Sequence, residues 1–292
     1  MNIALFGKTI SEDTKPYIQQ IVNKLEAVGA NIMVFAPYYY IIKSEIVFNS
    51  EVNIFNNHND LRDKVDFLFS IGGDGTLLDT LTLVRDSGIP IIGINVGRLG
   101  FLSSISKNEI CIAIDNIISG DYLIDKRSLL KIKEPKNLFG ELNYGLNEFS
   151  VSRRESASLM VIHVYVDDIF LNSYWADGII VSTPTGSTAY SMSCGGPFIT
   201  PGSKNFVITP IATHNLTVRP VVISDNCKIR IKAEGRDKNF FVSLDSRFEK
   251  IDSSMEIEIE KCDFEVNLVQ LKNKDFFSAI REKLKWGLDV RN

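Results

Sequence analysis

The sequence lacks the features that would tie it to a membrane, a disulfide framework or a metal cage. Its 292 residues include four cysteines, and no two of these form a CxxC pair, which disfavours a zinc ribbon or a redox motif. No apolar run approaches the roughly 20 residues of a membrane span, and the N-terminus does not show the basic and then apolar order of a signal peptide. We therefore expect a cytoplasmic protein with reduced thiols and no membrane contact.

Positive charge is also not in excess, because 32 basic and 36 acidic residues give a net charge of −4. A nucleic-acid partner is therefore not expected, since binding it needs a basic face. The chain also lacks a GxxxxGK[ST] P-loop, the third glycine of a dinucleotide fingerprint and a GxSxG elbow. These absences disfavour P-loop NTPases, Rossmann dehydrogenases and serine hydrolases of the elbow type.

The three histidines do not suggest a metal site. His58 is expected in a polar loop, and His163 alternates with apolar residues in a strand and is expected to be structural. Neither these two nor His214 has metal-ligand spacing to another His or Cys, so the sequence predicts no dedicated metal site.

Short apolar runs alternate with helical patterns in the first part of the chain, which predicts an open parallel α/β sheet. The predicted strands are Ile3–Phe6, Ile32–Phe35, Asp66–Ile71 and Ile89–Ile94, and the predicted helices are Pro16–Val28 and Thr76–Ser87.

After about residue 120 the pattern changes to short strands, several of which alternate as in an antiparallel sheet with one wet face. Asp167-Asp168 is expected to make a hairpin turn. A final helix over Phe276–Leu288 should pack on the α/β layer. We expect an α/β domain of residues 1–120 plus 275–292 and a β-sandwich-like domain of residues 121–274. The strands of the second domain are predicted over Leu129–Ile132, Glu148–Val151, Leu159–Val166, Ile179–Val181, Phe206–Ile211, Cys227–Ala233, Phe240–Leu244 and Met255–Leu271.

A glycine-rich turn, Gly72-Gly73-Asp74-Gly75-Thr76, joins a predicted strand to a helix. Glycines let backbone N–H groups approach phosphate, and the helix N-terminus favours anions. A carboxylate would repel phosphate, so Asp74 needs a role, either holding Mg²⁺ or taking a proton from an attacking hydroxyl. The alternative is a tight turn with Asp74 as a helix cap.

Three further segments carry polar groups suited to a nucleotide. Gly93–Leu102 contains Arg98, which could reach phosphate, although a structural crossover explains this segment equally well. Asn147-Glu148 can fix ribose hydroxyls and a base edge, but a dipeptide is weak evidence. Asp177–Pro197 places a buried strand before a dense set of hydroxyls, glycines and prolines, and such a segment is suited to a polar ligand.

These segments resemble NAD kinases in their order and spacing, and Ile208–Pro220 resembles a later segment of that family. The Gly72–Thr76 element also occurs in diacylglycerol- and sphingosine-type lipid kinases and, more loosely, in phosphofructokinases, so Asp177–Pro197 decides the assignment. The resemblance implies transfer of the γ-phosphoryl group of ATP to the 2′-hydroxyl of the adenosine ribose of NAD. It implies Mg²⁺ or Mn²⁺ with the ATP and a homo-oligomer, dimer or tetramer, formed through the β domain.

The resemblance also implies roles for individual residues. Asp74 would be the general base or a metal-linked activator, and Asp177 would bind the nicotinamide riboside end. The donor phosphates would be bound by Gly72, Gly73, Gly75, Thr76 and Arg98. The other NAD-binding residues would be Gly75, Asn147, Glu148, Thr188, Ala189, Tyr190, Ser191, Met192, Ser193 and, more weakly, Ala212 and Arg247.

The chain departs from the family pattern at Trp175, Ser158 and Asp245-Ser246-Arg247. These departures bear on the contact with nicotinamide and on the range of phosphoryl donors.

Two alternative functions stay open. One is a lipid kinase, which would have an apolar acceptor cleft, and the other is a non-catalytic nucleotide sensor, which would tolerate loss of the carboxylate.

Overall fold

The computed structural model describes residues 1–97, 100–153, 160–236, 239–272 and 274–286. The chain forms two compact units, Met1–Lys126 together with the segment that begins at Val266, and Arg127–Glu265. Within the described ranges, no helix is long and apolar enough to cross a membrane.

Most helices precede residue 120, and one short helix and one terminal helix follow. The helices are α1 (Lys15–Ala27), α2 (Ala36–Ile42), α3 (His58–Leu61), α4 (Asp74–Val84), α5 (Ile110–Ser119), α6 (Tyr190–Ser193) and α7 (Phe276–Leu284).

Strands occur along the whole chain. Those of the first half are β1 (Asn2–Gly7), β2 (Asn31–Phe35), β3 (Asn53–Phe55), β4 (Phe67–Ile71), β5 (Ile91–Asn95), β6 (Ile105–Ser106), β7 (Tyr122–Glu134), β8 (Tyr144–Gly145) and β9 (Glu148–Ser152). Those of the second half are β10 (Met160–Val166), β11 (Ile169–Trp175), β12 (Gly178–Ser182), β13 (Asn205–Ile211), β14 (Val221–Ser224), β15 (Ile229–Gly235), β16 (Asn239–Leu244), β17 (Arg247–Asp252) and β18 (Glu256–Leu271).

The first unit contains a parallel sheet in the order β5-β4-β1-β2-β3, which confirms the predicted open α/β sheet. Strand β6 adds beside β5, and Leu268 at the end of β18 pairs with Ile91. Gly7 pairs with Ile71, so β1 and β4 end at the same edge, where ligands bind in sheets of this kind.

Helices α1 and α5 bury apolar faces in one cluster with the sheet. In α1 these residues are Ile18, Ile21, Val22 and Leu25, at the spacing that predicted the helix. Gly29 has φ 69° and ends that helix as predicted, because glycine adopts this conformation without strain. Helices α2, α3 and α5 were not predicted, and α5 was missed although Ile110, Ala113, Ile114 and Ile117 share its buried face.

The expectation for His58 is wrong. This residue begins α3, is buried, and its Nδ1 lies 3.1 Å from the carbonyl oxygen of Leu83. Asn57 caps the helix with its side chain, and Asp60 completes the capping box. The polar residues that suggested a loop are therefore the start signals of a short helix.

The second unit is a sandwich of antiparallel strands, as predicted. One layer contains β11-β10-β15 and the first part of β18, and the other has the order β14-β13-β12-β9-β16-β17. The inner faces share one apolar cluster that includes Phe149, Ile179, Phe206 and Ile231. Asp167 and Asp168 have φ 49° and 62° and join β10 to β11, which confirms the hairpin turn.

Helix α7 belongs to the first unit and is shorter than predicted. Asp275 caps it by accepting the Ser278 N–H at 2.9 Å. Of its predicted apolar face, Ile280 is buried, but Phe277 and Leu284 are exposed. The predicted end at Leu288 lies outside the described residues.

Candidate active site

The glycine turn of the first unit connects β4 to α4. A side chain at Gly72 would lie 2.4 Å from Thr76 Oγ1, so the turn can close this tightly only around glycine. Gly73 is the N-cap residue of α4, and no side-chain cap hydrogen bond forms there. Asp74 is the first residue of the helix rather than its cap, and the helix-cap alternative for this carboxylate is therefore wrong.

The Asp74 carboxylate binds a neighbouring loop instead. Its Oδ2 accepts the Phe101 N–H at 2.6 Å, and its Oδ1 accepts the N–H groups of Leu102 and Ser103 at 3.0 and 2.9 Å. Gly100 makes this approach possible, because a Cβ there would lie 1.8 Å from Oδ1. Two carboxylate oxygens offer about four acceptor positions, so three hydrogen bonds leave room for one more donor. The side chain is only partly buried, and such a donor can come from a ligand.

The loop around Asp74 is also suited to anions. Helix α4 has 11 residues, and the first N–H groups of any helix lack intrahelical partners while its dipole favours negative charge. Gly93 lets Leu102 and Ser103 come close to β5, because a Cβ there would lie 2.7 Å from Ser103 Cα. Arg98, the predicted phosphate ligand of this segment, lies outside the described residues.

The second unit holds its own carboxylate centre. Asp245 lies in the turn between β16 and β17 with φ 51°. Its carboxylate accepts the N–H groups of Leu146, Asn147 and Glu148 at 2.8, 2.8 and 3.2 Å. Burial raises the pKa of Asp245, and these three N–H groups oppose that change. Asp245 therefore fixes the backbone that presents Asn147 and Glu148.

Glu148 faces this centre with an unsatisfied acceptor. Its Oε2 is buried and has no hydrogen-bond partner among the described residues. Burial, together with the negative charge of Asp245, raises the pKa of Glu148 to about 8, and the Tyr190 N–H opposes the rise. A carboxyl group with this pKa carries its proton at neutral pH, so it can donate one hydrogen bond and accept another.

The second unit contains, beside Glu148, a cavity of about 600 Å³, a volume within the range of small-molecule sites. It combines Glu148 and hydroxyls of neighbouring strands with aromatic rings. Among its lining residues are Glu148, Ser150, Tyr190, Phe241, Ser243 and Phe248. Such a lining can stack a flat ring and bind hydroxyls.

The hydroxyl-rich segment after β12 mostly stabilises its own backbone. Ser187 Oγ donates to the Pro184 carbonyl at 2.7 Å, Thr188 Oγ1 donates to Thr185 at 3.1 Å, and Ser191 and Thr209 share a 2.8 Å hydrogen bond. Of the predicted adenine-pocket residues, Thr188 and Ser191 are buried, Ala189 and Met192 are partly exposed, and Tyr190 and Ser193 are exposed.

The same segment packs tightly on Asn147. A Cβ at Gly186 would lie 2.0 Å from the Asn147 carbonyl oxygen, and that oxygen accepts the Thr183 N–H at 2.9 Å. The structure therefore brings Asn147, Glu148 and Tyr190 together in the second unit.

Asp177, Ala212 and Arg247, three further predicted NAD-binding residues, are not among the lining residues of the cavity. Asp177 Oδ2 is 2.8 Å from Arg153 Nη2, and its N–H donates to Ile211, next to the exposed Ala212 at φ 45°. Arg247 donates to the carbonyl oxygens of Leu142 and Tyr144.

Sequence reasoning missed several residues of these sites. It treated Asp245 only as a departure from a pattern, whereas the residue organises the Asn147-Glu148 backbone. Phe241 gave a weak signal, because it alternates with the buried Phe240 and Val242 in β16. Phe248 gave none. Across the described ranges, no group of three or more His, Cys, Asp or Glu side chains could hold a metal ion.

The fold and the sites together are typical of a two-unit nucleotide-binding protein, with a carboxylate at a glycine turn suited to anions in one unit and a cavity lined by hydroxyls and aromatic rings in the other. Residues 7–122 match the family model described as the ATP-NAD kinase N-terminal domain, and residues 146–271 match the ATP-NAD kinase C-terminal domain. An NAD kinase from Cytophaga hutchinsonii is 45% identical over 293 residues, with full coverage of both chains. One from Flavobacterium psychrophilum is 42% identical over 294 residues, again with full coverage of both.

Solved structures agree with these matches. An NAD kinase from Archaeoglobus fulgidus in complex with ATP has a TM-score of 0.76 and 27% identity, covering 98% of this chain and 99% of that one. Yeast NADH kinase complexed with NADH shares the fold with a TM-score of 0.88 at 24% identity, covering 100% of this chain and 89% of that one. The chain belongs to the NAD kinase family.

Proposed function

We propose that this protein transfers the γ-phosphoryl group of ATP to the 2′-hydroxyl of the adenosine ribose of NAD, giving NADP and ADP, with Asp74 as the general base. The observation that carries the assignment of the base is the Asp74 carboxylate, which three N–H groups hold at a glycine turn while it stays open to solvent.

The chemistry explains why a carboxylate belongs at this turn. A ribose hydroxyl is a poor nucleophile until its proton leaves, and a positioned base contributes about 10²–10⁴-fold. The 2′-oxygen forms a bond to the γ-phosphorus, and the bond from that phosphorus to the bridging oxygen of ADP breaks. The hydroxyl proton passes to the remaining acceptor position of Asp74. Positioning and charge neutralisation supply the rest of the acceleration.

The first unit would bind the donor phosphates through the N–H groups of Gly73 and Gly75, because the Gly72 N–H donates to Ile94 and the Thr76 N–H donates to Gly73. A divalent cation, Mg²⁺ or Mn²⁺, would arrive with ATP and neutralise phosphate charge. Such ions take oxygen ligands, which the donor phosphates would supply, so the remaining acceptor position of Asp74 stays free for the hydroxyl.

The second unit would bind NAD. The buried Oε2 of Glu148 would accept a ribose or amide donor, and Tyr190 would pack against the adenine. Thr188, Ala189, Ser191, Met192, Ser193, Ala212 and Arg247 would form or support the surrounding pocket, and Asp177 would bind the nicotinamide riboside.

We further propose that the two units are domains of a cytoplasmic homo-oligomer that associates through the β-rich one. The strands of that unit expose the large apolar side chains of Ile169, Phe170 and Trp175. Association of subunits covers surfaces of this kind.

The test is an assay of the full chain with ATP, Mg²⁺ and NAD. We expect NADP, with the new phosphate on the 2′ position by ³¹P NMR, and no product when diacylglycerol or sphingosine replaces NAD. Tight NAD binding without NADP would support the sensor alternative, and a phosphorylated lipid would support the lipid-kinase alternative.

A further inference from the structure

Lys283 in α7 lies beside the Asp74 site. Its Nζ is 4.1 Å from the centre of the Phe101 ring, and the N–H of the same Phe101 donates to Asp74 Oδ2 at 2.6 Å. A small cavity of about 40 Å³ separates Gly100 and Phe101 from α7, and Lys283 is one of its lining residues. The ammonium group is therefore a close neighbour of the loop that the carboxylate holds.

This lysine differs from several lysines of the first unit, which pair with carboxylates. Lys8, Lys24 and Lys274 each have a carboxylate partner, Asp79, Asp115 and Glu109 respectively. Lys283 is partly buried and makes no ion pair within the part of the chain that the structure describes. Burial lowers its pKa to about 8, and the negative charges of Asp74 and Glu282 oppose that change. The group therefore remains charged at neutral pH.

A partly buried charge that forms no ion pair is costly, and an anionic ligand would offset that cost. The cation–π contact between Lys283 and the Phe101 ring does not offset this cost alone, because a contact of this kind is weak. The nearby turn offers helix N-terminal N–H groups to anions, while Asp74 repels them. A positive charge here offsets that repulsion.

We propose that Lys283 binds the terminal phosphoryl group of the donor beside Asp74. The inference rests on the proposed function, since it takes Asp74 as the position where the acceptor hydroxyl reacts. An ammonium group is a compact point charge on a flexible stem, and it can follow phosphoryl oxygens as their charge redistributes during transfer. Lys283 is then a catalytic residue supplied by the last helix.

The test compares Lys283→Met and Lys283→Arg with Lys285→Met. Lys285 is an exposed neighbour at the end of the same helix, so its substitution removes the same charge away from Phe101. The measurements are kcat, the KM for NAD, the thermal unfolding midpoint, and the inhibition constant of tripolyphosphate against ATP. Tripolyphosphate reports on the phosphate subsite without the nucleoside.

We expect Lys283→Met to lower kcat by about 100-fold, which is the effect of removing one oxyanion-stabilising group. The inhibition constant of tripolyphosphate should rise by about tenfold. The KM for NAD should stay within about threefold, Lys283→Arg should recover most of kcat, and Lys285→Met should resemble the wild type. If Lys283→Met leaves the inhibition constant of tripolyphosphate unchanged, the proposal is overturned. This holds whatever happens to kcat and to the unfolding midpoint. A wild type that forms no NADP would instead overturn the proposed function.

Discussion

Each of the two units contains a carboxylate that accepts three backbone N–H groups, but the two carboxylates have different roles. In the first, Asp74 accepts the N–H groups of Phe101, Leu102 and Ser103. In the second, Asp245 accepts those of three consecutive residues that end at Glu148. Each carboxylate thereby fixes a loop. Both side chains are partly buried, but they differ in position. Asp74 is the first residue of a helix at a glycine turn suited to anions, whereas Asp245 lies between two strands and its hydrogen bonds hold the backbone of Asn147 and Glu148. We therefore infer that Asp74 is available for chemistry and that Asp245 positions other residues of its site.

Substitution Asp74→Asn should give the largest effect and acts on turnover. The amide keeps one oxygen for the loop but does not take a proton, so we expect kcat to fall by about 10³-fold, whereas NAD affinity should fall only by about tenfold, through the loss of one hydrogen bond to a charged group. Steady-state kinetics and calorimetry measure the two quantities. An Asn variant that retains most of its turnover would remove Asp74 from the role of base.

Substitution Asp245→Ala should act on stability. It leaves three N–H groups at part-buried positions without an acceptor, so we expect a loss of about 2 kcal/mol in the free energy of unfolding. The matched variant Asp74→Ala also leaves three such N–H groups without an acceptor and should lose a similar free energy, but only this variant should also lose most of kcat, because Asp74 is the proposed base. Denaturant unfolding and steady-state kinetics measure these quantities, and an equal fall of kcat in the two variants would contradict the contrast between the sites.

Substitution Gly100→Ala tests how closely the loop must approach Asp74. The added Cβ would lie 1.8 Å from Asp74 Oδ1, so the carboxylate or the loop must move. We expect kcat to fall by about 30-fold, since displacements near 1 Å can cost up to about 100-fold. The control is Gly97→Ala, where a Cβ meets no atom within 4 Å. Equal kinetics in the two variants would show that the loop has no catalytic role.

Substitution Glu148→Gln should have the smallest effect and concerns pH. The folded-state pKa of Glu148, about 8, lies above the ordinary value, so the folded state holds an extra proton between them. Its contribution to stability is therefore complete at low pH and is lost as pH rises through about 8. The variant should flatten this decline by at most about 1.4 kcal/mol per pH unit, measured by denaturant unfolding from pH 5 to 9. The exposed Glu249, changed to Gln, serves as the control, and an unaltered slope in the Glu148 variant would contradict the raised pKa.

The sequence predicted the features that rest on local pattern. Strands β1, β2, β4 and β5 have strong apolar runs, which are ended by glycine, by a polar residue or, after β2, by Ala36-Pro37. The hairpin at Asp167-Asp168 has residues that tolerate positive φ. Helix α5 was missed because its nearly continuous apolar residues, Ile110–Ile118, obscure a helical period. Helix α7 was predicted too long, because Lys285 ends it in a left-handed conformation that the sequence does not mark with glycine.

The sites were predictable where they depend on glycine turns and not where they depend on distant contacts. Gly72–Asp74 stood out as a turn, but its bonds to Phe101 join residues 27 positions apart. The bond from Asn147 to Asp245 joins residues 98 positions apart. Lys283 reaches the site through the packing of a terminal helix. No local spacing encodes these contacts, because tertiary folding alone brings them together.

The central claim, that the open acceptor position of Asp74 receives the reacting hydroxyl, is tested most directly by a binding cycle. NAD and 2′-deoxy-NAD are titrated by calorimetry into the wild type and the Asp74→Asn variant. A hydrogen bond to a charged group contributes about 1.5–3 kcal/mol, so loss of the 2′-hydroxyl should weaken binding at least about tenfold in the wild type and much less in the variant. An equal penalty in both proteins would contradict the account, because the hydroxyl would then not bind Asp74.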